Sequence, residues 1–234
     1  TSTVTVQDNI NPIALCQNLT IQLDASGSAS ITDSDIDNGS NDNCGVQSTS
    51  IDITTFDCSN VGSNTVTLTV TDVNNNTSTC TATVTVQDIT NPVASCQDAV
   101  VQLDASGAGV LSATDIDAGS TDVCGIQSST IPSVDQSWDC NDVGISHTVI
   151  LTVTDANGNV STCSSTVTVE DNIDPVALCN DITIQLDIDG NASIGSADMN
   201  GGSNDACGIL SVTIEPSSED YDCSDIGSNI VVLT

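Results

Sequence analysis

The sequence contains no lysine and no arginine, and its 234 residues include one histidine against 32 aspartates and glutamates, for a formal net charge of −32. Because nothing in such a chain can neutralise phosphates, the composition excludes nucleic-acid binding. It also argues against electrostatic docking on anionic membranes. Enzyme classes that need a lysine or arginine, such as Schiff-base or phosphate-clamping enzymes, are excluded.

Aromatic residues are almost absent, since Phe56, Trp138 and Tyr221 are the whole set. They provide no aromatic-lined cleft for glycoside hydrolysis. A hydrolytic triad would need His147, and no Gly-x-Ser-x-Gly motif occurs. No apolar run approaches the roughly 20 residues of a membrane span, so membrane insertion is not expected. We predict that the chain is not an enzyme.

A repeat of about 80 residues organises the chain. Residues 3–8, TVTVQD, occur again at 83–88 and, as TVTVED, at 166–171. Within each repeat, Val, Ile and Leu alternate with Thr, Gln or Asn at a period of two, and Gly-, Asn- and Asp-rich turns separate the runs. The pattern predicts an all-β fold of tandem immunoglobulin-like antiparallel β-sandwich domains in a linear array.

The phase of the repeat predicts where the domains begin and end. We expect residues 1–8 to be the last strand of a preceding repeat, followed by immunoglobulin-like repeats at 9–88 and 89–171. Residues 172–234 should form a third repeat, truncated before its last strands. Because both ends cut through a repeat, we expect the chain to be part of a longer array.

The repeat resembles the hyalin repeat (HYR) domain, an extracellular immunoglobulin-like module. The matching motifs in the first repeat are Asp8…Pro12…Cys16, Asp42-Asn-Cys-Gly45 and Thr79-Cys80…Val84-Thr-Val86, and they recur in the later repeats. The chain departs from the family pattern at residues 56–62, FDCSNVG, which include Cys58 where the family often has Phe-Pro-x-Gly. The Thr-rich, Lys-poor form is similar to repeats of long secreted bacterial surface proteins, which implies an extracellular or cell-surface location and a role in adhesion.

The eleven cysteines indicate an oxidising compartment and disulfide bonds. Four cysteines in a repeat allow three connectivities. Typical family members keep the first and fourth cysteines, so the resemblance implies a Cys16–Cys80 bond. This leaves Cys44 to pair with Cys58. The simplest strand order, however, puts Cys44 and Cys58 near opposite poles of the repeat. The equivalent predicted bonds are Cys96–Cys163, Cys124–Cys140 and Cys207–Cys223. No Cys-x-x-Cys motif supports a zinc or redox site.

Acidic residues recur in the linker and in two loops that an immunoglobulin-like strand order brings together at one pole of each repeat. Two carboxylates 5 Å apart repel by about 3 kcal/mol at an effective dielectric of 20, so a cluster without basic side chains needs a cation. Mixed Asp and Asn oxygens suit Ca²⁺. The predicted ligands are Asp8, Asp35, Asp37, Asp42, Asp72, Asn74, Asp88, Asp115, Asp117, Asp122, Asp155, Asn157, Asp171, Asp198, Asn200 and Asp205.

These features together predict a structural repeat module of an extracellular adhesin or fibre, stapled by disulfides and rigidified by calcium at the domain junctions. Its partners would be neighbouring repeats of the same chain or identical chains in a fibre, with surface glycans as a further possibility. One alternative is a filament subunit in which residues 1–6 are donated as a strand to the next chain. A second alternative is a carbohydrate-binding module that uses the Asp-rich loops.

Overall fold

A computed structural model describes residues 1–215 and 219–234, and it is all-β with short one-turn helices. The first repeat contains the strands β1 (Leu19–Gln22), β2 (Ser28–Ser30), β3 (Val46–Ile51), β4 (Thr55–Asp57), β5 (Gly62–Asp72) and β6 (Thr77–Gln87). The second contains β7 (Ala99–Gln102), β8 (Ala108–Val110), β9 (Ile126–Thr130), β10 (Ser137–Asp139), β11 (Ser146–Asp155) and β12 (Val160–Glu170). The third contains β13 (Ala192–Ile194), β14 (Ile214–Glu215), β15 (Glu219–Tyr221) and β16 (Val232–Leu233).

Backbone proximity divides the chain into two compact units that do not follow the repeat boundaries. The first unit consists of Thr1–Cys96, Asp117–Thr130 and Leu151–Cys163. The second unit consists of Gln97–Ile116, Ile131–Ile150 and Ser164–Thr234. Residues of the second repeat therefore occur in both units, whereas the first repeat lies wholly in the first.

The first repeat is a sandwich of a four-stranded and a two-stranded sheet. The larger sheet has the order β1-β6-β5-β3, and the smaller one pairs β2 with β4. The long strands β5 and β6 pair antiparallel over most of their length. β1 is the exception to the predicted antiparallel arrangement, because it runs parallel to β6 with Leu19 opposite Val84. The predicted class of tandem immunoglobulin-like β-sandwiches is confirmed.

Period-two alternation builds the core of the first repeat. On β5 the apolar residues Val66, Leu68 and Val70 are completely buried, and the threonines between them face outward and are only partly buried. β6 buries Val84 and Val86 in the same way. The remaining buried members of this core are Leu23, Ile31, Ile36, Phe56 and Ala82. Aliphatic side chains therefore fill the sandwich with one aromatic ring.

The pairings of the first repeat recur in the later ones, within each unit. In the first unit β9 runs antiparallel to β11, with Thr130 opposite Thr152. In the second unit β7 runs parallel to the end of β12, and β8 pairs with β10 so that Gly109 lies opposite Trp138. The third repeat pairs β13 with β15 and β14 with β16.

Each repeat also contains a one-turn α-helix, and 3-10 turns occur at Cys58–Asn60, Ser133–Asp135 and Cys140–Asp142, none of which the strand-like alternation predicts. The α-helices are α1 (Asp33–Ile36), α2 (Ala113–Ile116) and α3 (Ser196–Met199). In front of α1, the Asp35 carboxylate accepts hydrogen bonds from the backbone N–H and the hydroxyl of Thr32, both at 2.7 Å. The signal was this short capping arrangement, Thr-x-x-Asp, rather than a periodic pattern. With four residues each, none of these helices could cross a membrane, and the described residues contain no longer helix.

Candidate metal centre at the start of each repeat

A buried aspartate at the end of β5 organises the tight turn into β6. Asp72 is completely buried, and its Oδ1 accepts the backbone N–H groups of Asn74 and Asn76 at 2.8 and 2.7 Å. Its Oδ2 accepts the Asn76 side-chain amide at 2.7 Å. The second repeat has the same arrangement, in which Asp155 binds Asn157 and Asn159. An aspartate that bonds the backbone two residues on is a turn former, which explains why β5 ends here.

The turn holds the linker that enters the repeat. The Asn74 amide donates to Asp8 Oδ2 at 2.9 Å, and the Asn76 amide donates to the Asp8 backbone carbonyl at 3.3 Å. In the second repeat the Asn159 amide donates to the Asp88 carbonyl at 3.2 Å. The asparagines of this turn therefore fix the position of the linker aspartate.

A third segment, the loop before β3, brings Asp42 to the same place. Asp42 Oδ1 accepts the backbone N–H of Cys44 at 2.8 Å. One carboxylate oxygen of Asp8, one of Asp42 and the sulfur of Cys44 all lie within 4.8 Å of one another. Equivalent groups are formed by Asp88, Asp122 and Cys124, and by Asp171, Asp205 and Cys207. We call Asp8, Asp42 and the turn Asp72–Asn76 the carboxylate end of the first repeat.

The paired carboxylates of these groups are electrostatically costly. Like charges within 4.8 Å of each other repel, and the sequence offers no Lys or Arg to offset this. In the second repeat Asp88 is 7% exposed, and its Oδ2 is buried with no hydrogen-bond partner among the described residues. A buried carboxylate oxygen without a donor is the kind of group that a cation or water satisfies.

Hydrogen bonds favour the ionised form of Asp8 and of the buried Asp155. The pKa of Asp8 is lowered by hydrogen bonds from the Ile10 backbone, the Cys44 side chain and the Asn74 amide, against a smaller raising effect of burial. Burial raises the pKa of Asp155, but the hydrogen bonds from Asn159, Asn157 and Gly158 outweigh it, so that the pKa is lowered overall. Asp8 and Asp155 therefore remain negatively charged at neutral pH.

The same negative charges act on the Cys44 thiol. Its pKa is raised by the hydrogen bond to Asp8, by burial and by the charges of Asp8, Asp42 and Asp72. Cys124 and Cys207 are bonded in disulfides, so their sulfurs are not thiolate ligands. The donor set common to the three groups consists of hard oxygens, which fits Ca²⁺ and not zinc.

Two of the predicted ligands in each repeat lie outside both these groups and the turns of Asp72 and Asp155. Asp35 caps α1 through Thr32, and Asp37 Oδ1 accepts the Ser40 backbone N–H at 2.9 Å. The same local bonds are made by Asp115, Asp117, Asp198 and Asn200. Because backbone or hydroxyl donors already satisfy these side chains, the structure gives them no part in the carboxylate pairs.

The disulfides confirm two of the five predicted pairs and correct the other three. Cys16–Cys80 and Cys96–Cys163 are present as expected, with Cα atoms 5.9 Å apart in each. The predicted bonds Cys44–Cys58, Cys124–Cys140 and Cys207–Cys223 are wrong. The other two disulfides are Cys58–Cys124 and Cys140–Cys207, each of which joins one repeat to the next.

The length of β5 explains why the predicted pair cannot form. Cys58 lies just before the start of β5, whereas Cys44 lies beside Asp8 and Asp42 at its far end. Eleven extended residues span about 33 Å, far more than the roughly 6 Å between Cα atoms that a disulfide tolerates. The opposite-pole placement from the simplest strand order was the signal that pointed to inter-repeat bonding.

The chain has low sequence identity to the solved structures that it resembles. No family model and no curated protein matches it. Among solved structures it is similar to mouse clustered PcdhgC3 EC1-3, with 14% identity, coverage of 69% of this chain and 68% of that chain, and a TM-score of 0.33. It is also similar to the Protocadherin Gamma B2 extracellular cadherin domains 1-5, with 16% identity, 89% and 50% coverage and a TM-score of 0.38. The chain thus spans half the length of the latter.

Proposed function

We propose that the chain is a structural segment of an extracellular adhesin or fibre, built from HYR-like repeats whose junctions are held by both disulfides and Ca²⁺. The predicted domains at 9–88, 89–171 and 172–234, with residues 1–8 as the last strand of a preceding repeat, are part of this proposal. Disulfide bonds are typical of secreted proteins, which supports an extracellular location. Its partners are then adjacent repeats or identical chains.

One observation carries the proposal: a disulfide and an acidic group occur at the same junction. Asp88 ends the first predicted domain, and Asp122 comes from a loop of the second. Beside them, Cys124 of this loop is bonded to Cys58 of the first domain. A cation bound by Asp88 and Asp122 would therefore hold together the same two repeats that the disulfide links. Such a junction resists bending, which is what a load-bearing extracellular array requires.

The residues that would hold calcium are Asp8 with Asp42, Asp88 with Asp122, and Asp171 with Asp205. A bound ion supplies positive charge that offsets the repulsion between the carboxylates. Asp72 and Asp155 act indirectly by positioning the asparagines that fix Asp8 and the Asp88 carbonyl. Six further predicted ligands accept hydrogen bonds within their own local turns: Asp35, Asp37, Asp115, Asp117, Asp198 and Asn200.

The test is thermal unfolding in calcium and in chelator. One site at a hundred times its Kd stabilises the folded state by about 2.7 kcal/mol. This should raise the Tm by about 10 °C in a domain of this size. The variant Asp88→Asn/Asp122→Asn should lose most of the shift at its junction. Asp104→Asn, whose carboxylate bonds Ser106, is the matched control and should keep it. A shift that is unchanged in the double variant would rule out this site.

Strand exchange is a second candidate, and two observations favour it. Val4 and Val6 are 84% and 90% exposed, whereas the equivalent Val84 and Val86 are buried in β6. The third repeat contains a cleft of about 550 Å³ whose lining includes Ile182, Ile184 and Met199. If residues 1–6 of one copy filled this cleft in another, Val4→Asp/Val6→Asp should abolish non-covalent association in light scattering under reducing conditions. A monomeric wild type under the same conditions would exclude strand exchange.

A further inference from the structure

Two of the four disulfides join consecutive repeats in one register. Cys58 bonds Cys124 over 66 residues, and Cys140 bonds Cys207 over 67 residues. In both bonds the third cysteine of one repeat pairs with the second cysteine of the next. Two unpaired cysteines occupy these same positions, because Cys44 is the second of its repeat and Cys223 is the third of its repeat. By the same register, Cys44 would bond a third cysteine and Cys223 would bond a second cysteine.

The loop that carries Cys44 already has the form of the bonded loops. The aspartate two residues before the cysteine accepts its backbone N–H through Oδ1, at 2.8 Å for Asp42 and Cys44. The distances for Asp122–Cys124 and Asp205–Cys207 are 2.7 and 2.8 Å. The same carboxylate pair flanks the sulfur in all three loops. Cys44 is exposed, so a partner can reach it.

The Cys223 sulfur is likewise held as in the bonded repeats. It lies against Gly190, where an added Cβ would be 3.1 Å from the sulfur. Gly190 has a φ of +80°, in the left-handed region that a glycine turn permits. Equivalent contacts join Gly27 to the Cys58 sulfur and Gly107 to the Cys140 sulfur, at 3.0 and 2.7 Å. We call this glycine turn, formed by Gly27, Gly107 or Gly190, the receptor turn. It lies against the third cysteine in all three repeats, including Cys223.

We propose that Cys44 and Cys223 are the two halves of a head-to-tail disulfide, through which a further repeat of this type is linked covalently at either end. A second copy of the 234-residue chain can supply such a repeat. In the bonded junctions the residue before the second cysteine packs on the receptor glycine, as Val123 does on Gly27 and Ala206 on Gly107. Asn43 holds that position in the first repeat and would pack on Gly190 of the second copy.

The bond forms by thiol–disulfide exchange and needs a small disulfide, such as oxidised glutathione, as the oxidant. A thiolate of one copy attacks the glutathione disulfide, releasing one reduced glutathione and leaving a mixed disulfide. The thiolate of the other copy then attacks the protein sulfur of that mixed disulfide and releases the second glutathione. Two thiols are oxidised and one small disulfide is reduced, so electrons and protons balance.

Cys179 provides the matched control because it is also exposed and unpaired. Its equivalents Cys16 and Cys96 bond within their own repeats to Cys80 and Cys163. The register thus assigns Cys179 a partner in its own repeat, and no inter-repeat role. Removing it should leave head-to-tail linkage unchanged.

The experiment uses complementation between two proteins. One is Cys179→Ser/Cys223→Ser, which keeps only Cys44 unpaired, and the other is Cys44→Ser/Cys179→Ser, which keeps only Cys223. Each is treated with oxidised glutathione alone and in an equimolar mixture, then separated on a non-reducing gel. Intact mass confirms that the four structural disulfides remain. Linked peptides are identified after digestion at Asp, since the chain has no site for trypsin.

Dimer should form in the mixture, with the Cys44–Cys223 peptide as its link, while each protein alone stays largely monomeric. The Cys179→Ser chain should form a ladder of oligomers that a reductant dissolves. Homotypic Cys44–Cys44 and Cys223–Cys223 links that together equal or exceed the mixed link would overturn the proposal, because random pairing gives that result. No dimer in any sample would overturn it too. The link needs no metal, so the calcium experiment can fail while this one succeeds.

Discussion

The two ends of the first repeat use the same residue type in opposite ways. At one end, which we call the turn end, Asp24 accepts the Ser26 backbone N–H and hydroxyl at 2.8 and 2.6 Å. Asp57 accepts the same groups of Ser59 at 2.8 and 2.5 Å. At the carboxylate end, oxygens of Asp8 and Asp42 lie within 4.8 Å of each other. The close approach of two carboxylates from different segments, and not the number of aspartates, thus distinguishes a candidate cation site from a capped turn.

Hydrogen bonds lower carboxyl pKa values at both ends, for Asp8 as for Asp24, so the ends differ in how the carboxylates are arranged and buried. At the turn end the pKa of Asp24 and that of Asp57 are lowered mainly by hydrogen bonds from the serine side chain and backbone. These carboxylates are therefore stable as anions without any ion nearby. At the carboxylate end the donors are shared among three segments, and the equivalent of Asp8 in the second repeat, Asp88, keeps one buried oxygen unpaired. Only this end has a reason to bind a cation.

The largest expected effect comes from removing the Cys58–Cys124 disulfide, which joins the turn end of the first repeat to the Asp122 loop of the second. Cys58 belongs to the turn end of the first repeat, and Cys124 belongs to the loop of Asp122 in the next. Closing a loop of 66 residues stabilises the fold by about 4 kcal/mol in the chain-entropy model. Cys58→Ser/Cys124→Ser should lose about this much in denaturant unfolding. Cys179→Ser, the control, should change nothing, and a loss below about 1 kcal/mol in the double variant would contradict the prediction.

Next in size is the loss of the buried aspartate at the carboxylate end. Asp72→Ala leaves two backbone N–H groups and one amide without their acceptor, which should destabilise the first repeat by about 2–3 kcal/mol. Asp24→Ala at the turn end is the matched substitution and should cost less, since water can replace its exposed bonds. Calorimetry of both variants in chelator measures the difference without calcium. Equal losses would show that burial does not separate the two ends.

The sequence predicted the core better than it predicted the junctions. Val66, Leu68 and Val70 alternate with threonine, and this local pattern fixes which face is buried. The convergence of Asp8, Asp42 and Asp72 followed from the strand order of the resembled family. Asp35 and Asp37 instead bond within their own turns, and the sequence cannot separate this use of an aspartate from a ligand because both have the same pattern. The partner of Cys58 lies in the next repeat, a long-range choice that spacing within one repeat cannot encode.

A glycine substitution tests how tightly the turn end packs on the next repeat. Gly27 has a φ of +74°, and an added Cβ would lie 3.0 Å from both the Cys58 sulfur and a Val123 methyl. Gly27→Ala should cost about 2 kcal/mol, part from backbone strain and part from the contact. Gly39→Ala is the control, because Gly39 has a φ of +82° but nothing within 4 Å of the added Cβ. It should cost about 1 kcal/mol, from backbone strain alone.

Urea unfolding of the two alanine variants measures this difference. An m-value shared with the parent chain would show that both variants act on stability alone. If Gly27→Ala and Gly39→Ala lose the same free energy, the contact with Cys58 and Val123 has no energetic weight. The junction would then be held by the disulfide without close packing around it.

The smallest expected effect is the acid dependence of the turn end. The pKa of Asp24 and that of Asp57 lie below the ordinary 3.8 in the folded state, so both carboxylates favour folding above that pH. This contribution is lost as the pH falls through the lowered folded pKa. Protonation also relieves the general repulsion of a chain with a charge of −32, but that relief is shared by wild type and variant. Asp24→Asn/Asp57→Asn should therefore be less stable than wild type at neutral pH and should converge with it once the pH has fallen through the lowered folded pKa, as followed by denaturant titrations from neutral pH into acid. A constant gap between the two curves down to acid would mean that the serine hydrogen bonds do not depend on the carboxylate charge.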